Sequence, residues 1–238
     1  MSDLGAIWVY LSSEPLLWLT ATLAAYVIGD ALFRASGRAP LVNPVLVAVA
    51  LLAAVLWLSD TPYQTYFEGA QFVHFMLGPA TVALAVPLYT NLAKVRAAAL
   101  PMIAALLAGS LTAMATAVGL GYALGIRGEV LMSLAPKSAT APVALGISEA
   151  IGGLPTLTAV LVILTGIIGA VFATPLLNLL RIHDWRARGF ATGVAAHGIG
   201  TARAFQVNET AGAFAGIGMG VNAVLTAVLA PVLMGLIF

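Results

Sequence analysis

The chain has 238 residues, 61% of them hydrophobic and 8% charged, with a formal net charge of +1 and no cysteine. A soluble domain carries roughly 25% charged residues, so there are too few charges to coat a water-facing surface, and the mean hydropathy of +1.04 agrees. Without cysteine there are no disulfides, thiolate nucleophiles or cysteine-ligated metal clusters, and no basic run suggests nucleic acid.

The chain therefore reads as a polytopic, all-α transmembrane bundle, a single membrane domain over 1–238. Met1-Ser2-Asp3 lacks the basic start of a secretory signal, so the first apolar run, 16–33, is expected to be a permanent span. It is closed by Arg34 and Arg38. A short run follows at 44–58, then a polar stretch to Glu68, then a run at 69–89 interrupted by Gly78, Pro79 and Pro87. Further runs cover 97–124, 130–151 (interrupted by Pro136 and Pro142), 155–180, 190–205 and 211–238. Helices are required, because each unpaired backbone group in lipid costs several kcal/mol. The alternation of a transmembrane barrel is missing.

Lys and Arg near the span ends set the orientation. With the Arg34/Arg38 and Lys94/Arg96 loops in the cytoplasm, the N-terminus lies outside. Seven full passes plus one re-entrant or broken segment at 130–151 then keep Arg181, Arg186 and Arg188 on the cytoplasmic side. Pro87/Pro101 and Pro142/Pro155 flank segments of similar length, each preceded by a Pro-small-Thr cluster. This pattern fits inverted repeats with discontinuous helices, in halves of about 15–125 and 129–238; simple kinks fit it equally.

The informative residues are polar ones inside apolar runs. Lys137 lies mid-segment, where a lysine costs about 2.5–3.5 kcal/mol on insertion scales. Pro136 breaks the helix there, so the loop should face protein or water, unless Lys137 snorkels to an interface. Ser138 and Thr140 flank it, and Pro79 and Thr81 form a similar cluster upstream. His197 and Thr201 share a helical face, and Gly198 and Gly200 permit an unwound backbone. His197 can titrate near neutral pH or be a structural hydrogen-bonding residue, and Arg203 either joins this cluster or snorkels. Asn222 either binds ligand or cross-links helices, whereas Gly212, Gly216 and Gly220 read as a packing stripe. No acidic residue lies deep in a run; Asp30, Glu68 and Glu149 are near ends. The buried charge is cationic, which selects a small anion. No catalytic constellation is visible, and no enzymatic activity is expected.

The ordered motifs at 66–69 (YFEG), 77–89 (LGPATVALAVPLY), 135–138 (APKS), 153–159 (GLPTLTA) and 197–204 (HGIGTARA) resemble the LrgB/CidB family across nearly the whole chain. Ala196 and Ala139 stand where the family pattern is expected to have Ser, and Val or Thr. The resemblance implies two traditions. One is a holin-like or antiholin-associated modulator of murein hydrolase export and autolysis, working beside a small LrgA/CidA-type membrane partner. The other is a carrier of small monocarboxylates, as in the related plastid glycolate/glycerate translocator or bacterial pyruvate and lactate movement. With the anion argument, it leads to an expected secondary carrier in the bacterial cytoplasmic (inner) membrane. That carrier is expected to be a homo-oligomer in the lipid bilayer, without a bound cofactor and coupled to a proton or sodium ion. The expected substrate contacts are Lys137, Ser138, Thr140, Pro79, Thr81, His197, Gly200, Thr201, Arg203 and Asn222.

Overall fold

The computed structural model describes residues 14–39, 41–76, 79, 82–83, 89 and 92–237. It is helical, with no strand among the described residues. Two compact units result, Met1–Val82 and Ala83–Phe238.

The first unit holds α1 (Pro15–Ala35), α2 (Pro44–Leu58) and α3 (Tyr63–Phe75). Proline opens α1 and α2, where its missing N–H costs nothing. Asn43 caps α2, its Oδ1 accepting from Val45 N at 2.9 Å. Gly29 lets α1 approach Pro44, where an added Cβ would lie 2.6 Å from the carbonyl oxygen. Trp18 is buried edge-on against Tyr66.

The second unit carries α4 (Leu92–Ala97), α5 (Ala99–Ala123), α6 (Gly128–Leu134), α7 (Ala141–Ala150), α8 (Pro155–Leu179), α9 (Trp185–Val207) and α10 (Glu209–Ile237). Helices α1, α5, α8 and α10 are long and apolar enough to cross a membrane, as 25 residues rise about 37 Å against a core about 30 Å thick. This is a membrane protein.

Helices α6 and α7, of 7 and 10 residues, are about 10 and 15 Å long, so neither crosses alone. They form a hairpin with its apex at 135–140. The chain goes out along α6 and returns along α7, which brings Ser148 and Gly153 back to Ser133: a Cβ on Gly153 would lie 2.6 Å from Ser148 Oγ and 3.1 Å from Ser133 N. A buried hydroxyl knot fixes this base. Thr158 donates to Ser148 Oγ at 2.7 Å, and Leu154 N to Ser133 Oγ at 2.7 Å. The expected break at Pro136 is therefore present, as a fold-back.

Helix α9 departs from expectation. The run 190–205 reads as one pass, yet the helix is broken at Ala196 (φ −127°, ψ 17°) and His197 (φ 41°, ψ −136°). A Cβ on Gly200 would lie 3.1 Å from Thr192 O, although positions eight apart in a straight helix are about 12 Å apart along the axis. Trp185, Arg188 and Thr192 line one small cavity together with Arg203, Ala204 and Val207. The helix is a second hairpin, with arms α9a (185–195) and α9b (198–207). Gly189 and Gly193 of α9a lie directly on the Ala211 and Ala215 carbonyls, so α9a runs parallel to α10, while Phe205 of α9b covers Gly212. The close seam thus uses Gly189 and Gly193 against alanines. In the expected stripe, Gly212 meets Phe205, and nothing lies within 4 Å of a Cβ on Gly220.

The two hairpins enter from opposite ends. Ala97 and Ala98 line the same cavity of about 630 Å³ as Ile182, Asp184 and Arg186. The α4–α5 junction next to Arg96 and the basic 181–188 turn therefore share one end of the unit, as expected from their charges. The base of α9 is at that end and the base of the α6–α7 hairpin at the other.

Candidate functional site

The tips of the hairpins meet. Ala139 and Ala144 of the first tip pack on Val162 of α8, and the carbonyl of Val162 accepts a hydrogen bond from His197 Nε2 of the second tip at 2.8 Å. Because a carbonyl only accepts, Nε2 carries the proton. The tip is seated in a groove on α8: a Cβ on Gly166 would lie 2.6 Å from His197 Cε1, and one on Gly169 would overlap the Ala196 methyl. The meeting point falls near the middle of each long helix. Ser110 is central in Ala99–Ala123, Val162 to Gly166 in Pro155–Leu179, and Asn222 in Glu209–Ile237.

Asn222, 1% exposed, ties four elements together. Its Nδ2 donates to Ser138 O in the first tip at 3.0 Å and to Val194 O at the end of α9a at 3.2 Å. Its Oδ1 accepts from Ser110 Oγ of α5 at 2.6 Å. Both amide hydrogens meet carbonyls, which fixes the orientation of the amide. Both carbonyls sit where a helix is interrupted, so the side chain replaces backbone partners lost at the breaks.

Lys137 is half-buried and donates to Ser138 Oγ at 3.1 Å. Among the described residues no carboxylate is within ion-pair reach of it. Thr140 occupies the N-cap of α7 without capping it, and its Oγ1 is buried with no hydrogen-bond partner. The first turn of α7 begins here, with its positive dipole end toward the tips. Thr201 is buried and donates to His197 O at 2.8 Å, and Gly200 packs on Ala196 and Thr192.

Lys137, Ser138, Thr140, His197, Gly200, Thr201 and Asn222 are thus gathered at or beside the two tips. Arg203 lies further along α9b, lining a cavity with Trp185 and Arg188 toward the hairpin base and donating to Gln206 Oε1 at 3.4 Å. Pro79 is an exposed helical residue of the other unit, and Thr81, Gly78 and Pro87 fall outside the described residues. The sequence reading missed Ser110, Ser133, Ser148, Thr158 and Val162. The serines and threonines look like ordinary helix residues, because such hydroxyls usually bond their own i−4 carbonyl, as Thr116 does to Thr112.

The LrgB-like family model matches residues 22–236. The chain belongs to the LrgB-like family. Among its relatives, the uncharacterized protein YwbG of Bacillus subtilis (strain 168) is 36% identical over 81% of this chain and 85% of its own length. The antiholin-like protein LrgB of Bacillus mycoides (strain KBAB4) is 32% identical over 92% of this chain and 96% of its own. That of Bacillus cereus (strain B4264) is also 32% identical over the same shares. No solved structure matches. For this LrgB-like chain the matched span takes in both hairpins and Asn222, so the tip-to-tip arrangement lies wholly inside the family region.

Proposed function

We propose that this chain is an antiholin-like component of the bacterial inner membrane that modulates murein hydrolase export and autolysis beside a small holin-like membrane partner. The observation that carries this reading is the family match over 22–236 together with relatives named antiholin-like over 92% of the chain. Deleting the gene in its host and following detergent-triggered lysis tests it. The deletion should change the lysis rate, and the wild-type gene should restore it. An unchanged lysis curve with and without the partner gene would remove this reading.

A second reading, a secondary carrier of small monocarboxylates such as glycolate, glycerate, pyruvate or lactate, is favoured by a separate observation. Two opposed hairpins meet tip to tip near mid-helix, as in transporter sites built from discontinuous helices. Each tip brings one positive and one negative helix end, which offset one another, so the net charge comes from Lys137. In this reading both hairpins are re-entrant from opposite membrane faces. The order hairpin, long helix, hairpin, long helix is an inverted repeat, and a proton on His197 or a sodium ion couples transport. Lys137 holds the carboxylate, with Ser138 and Thr140 as donors, and autolysis control follows from carboxylate movement in a homo-oligomer. The orphan Thr140 hydroxyl and the Lys137 ammonium, which has no carboxylate in ion-pair reach among the described residues, support this. In proteoliposomes the protein should take up labelled glycolate or pyruvate, and Lys137→Ala should lose ligand-induced stabilisation while remaining folded. Full ligand stabilisation of Lys137→Ala would end the assignment of Lys137.

A further inference from the structure

The mid-helix contact between the hairpins runs through one side-chain amide. Ser138 O lies in the turn after α6, and Val194 O lies in the last turn of α9a, before the break at Ala196. Neither bond belongs to a helix ladder, and both hydrogens come from the same nitrogen of Asn222. Ser110 holds the other end of the amide from α5, so the group cannot turn to follow one tip without losing its bond to the other or to Ser110.

We infer that Asn222 is a positioning residue that couples the two hairpin tips, so that a displacement of the Pro136–Thr140 turn is transmitted to the α9 break through its amide. The coupling has a direct physical basis. If the first tip withdraws, Ser138 O leaves Nδ2 and the amide is held by Val194 O and Ser110 alone. Any tilt that restores the lost bond pulls on Val194, one residue before the exposed Ala195. A buried amide hydrogen left unpaired is costly, so the tips move together or exchange this bond for another. The inference rests on the geometry of the tips and holds whichever anion, if any, occupies them.

The native chain has no cysteine, so single thiols report cleanly. Ala195→Cys places a thiol beside the second tip, and Lys137→Ala disturbs the first tip by removing the Lys137–Ser138 bond. Thiol-labelling rates of Ala195→Cys in reconstituted protein are compared with and without Lys137→Ala, in the Asn222 protein and in Asn222→Leu. The expected result is that Lys137→Ala shifts the rate about threefold or more when Asn222 is present and leaves it unchanged in Asn222→Leu. A merely structural Asn222 would change the absolute rate while leaving the response to Lys137→Ala intact. An equal response in both backgrounds, or no response in the Asn222 protein, overturns the coupling. Should Asn222→Leu fail to fold, Ser110→Ala serves instead: it keeps both carbonyl bonds but frees the amide, and should shrink the response. A full response in Ser110→Ala overturns the inference. No ligand enters this experiment, so its outcome is separate from that of the carrier reading.

Discussion

Three glycine-to-alanine substitutions should separate a seated hairpin tip from an ordinary helix surface. A Cβ at Gly166 would lie 2.6 Å from His197 Cε1 and 2.9 Å from Ile199 Cβ. The ring is held by its 2.8 Å bond to Val162 O and the Ile199 Cβ is close to the backbone, so the clash cannot be relieved by a free side-chain end. Overpacking of this kind costs about 1–3 kcal/mol. Gly169→Ala, which overlaps the Ala196 methyl at the break, should cost at least as much. Gly146 in α7 is the control: it is exposed, with nothing within 4 Å of an added Cβ, and alanine there gains about 1 kcal/mol of helix propensity. At about 2–4 °C per kcal/mol for a chain of this size, Gly166→Ala should melt roughly 2–12 °C lower in detergent, and Gly146→Ala slightly higher. Equal melting temperatures for the Gly166 and Gly169 variants and the wild type would refute the docking of the tip on α8.

Two further perturbations test neighbouring features. His197 holds a left-handed backbone (φ 41°), which costs a non-glycine residue about 1–3 kcal/mol. His197→Gly and His197→Ala both lose the Val162 bond, but only glycine relieves the backbone, so the glycine variant should melt above the alanine variant; the reverse order would contradict the backbone assignment. Asp184 caps α9, accepting from Arg186 N at 2.8 Å. Its hydrogen bonds to Arg186, side chain first and then backbone, hold its carboxyl at about 2, against an ordinary 3.8. Because the folded value is the lower one, the ionised cap stabilises fully above about pH 4 and loses its effect as pH falls toward 2. The gap in melting temperature between wild type and Asp184→Ala, about 2–4 °C for a cap worth about 1 kcal/mol, should be flat from pH 7 to 5 and narrow below 4. A gap that persists at pH 2 would show that the ionised carboxylate is not what stabilises the turn.

The legibility of this chain depended on what kind of signal each element leaves. Apolar length alone revealed α1, α5, α8 and α10, because crossing a bilayer needs a run no soluble helix requires. Pro136 and Pro142 marked the first hairpin, since proline removes a backbone donor wherever it stands. The second hairpin was hidden. Its run is less apolar than α1, α5, α8 and α10, but the residue that turns the chain is His197 rather than a glycine or proline, so no backbone signal marks the fold-back. Asn222 was visible as a polar intruder, but its three partners at positions 110, 138 and 194 are set by tertiary contact. The same holds for Ser133, Ser148 and Thr158, whose hydroxyls bond each other or a backbone group across the α6–α8 corner instead of only their own helices.

The seam between α9a and α10 has a mechanical consequence. At Gly189 and Gly193 the two backbones are so close that even a methyl group would strike the Ala211 and Ala215 carbonyls, and Gly218 adds a looser contact, with Phe190 O 2.6 Å from an added Cβ. Such a seam resists shear, because sliding by one residue would drive a side chain into the facing backbone. The first arm of the second hairpin and the N-terminal part of α10 therefore form one stiff strut. The other arm, 198–207, is laid along this strut by side chains: Phe205 covers Gly212, Ala204 packs with Ala211 and Ala215, and Gly200 sits on Thr192 and Ala196.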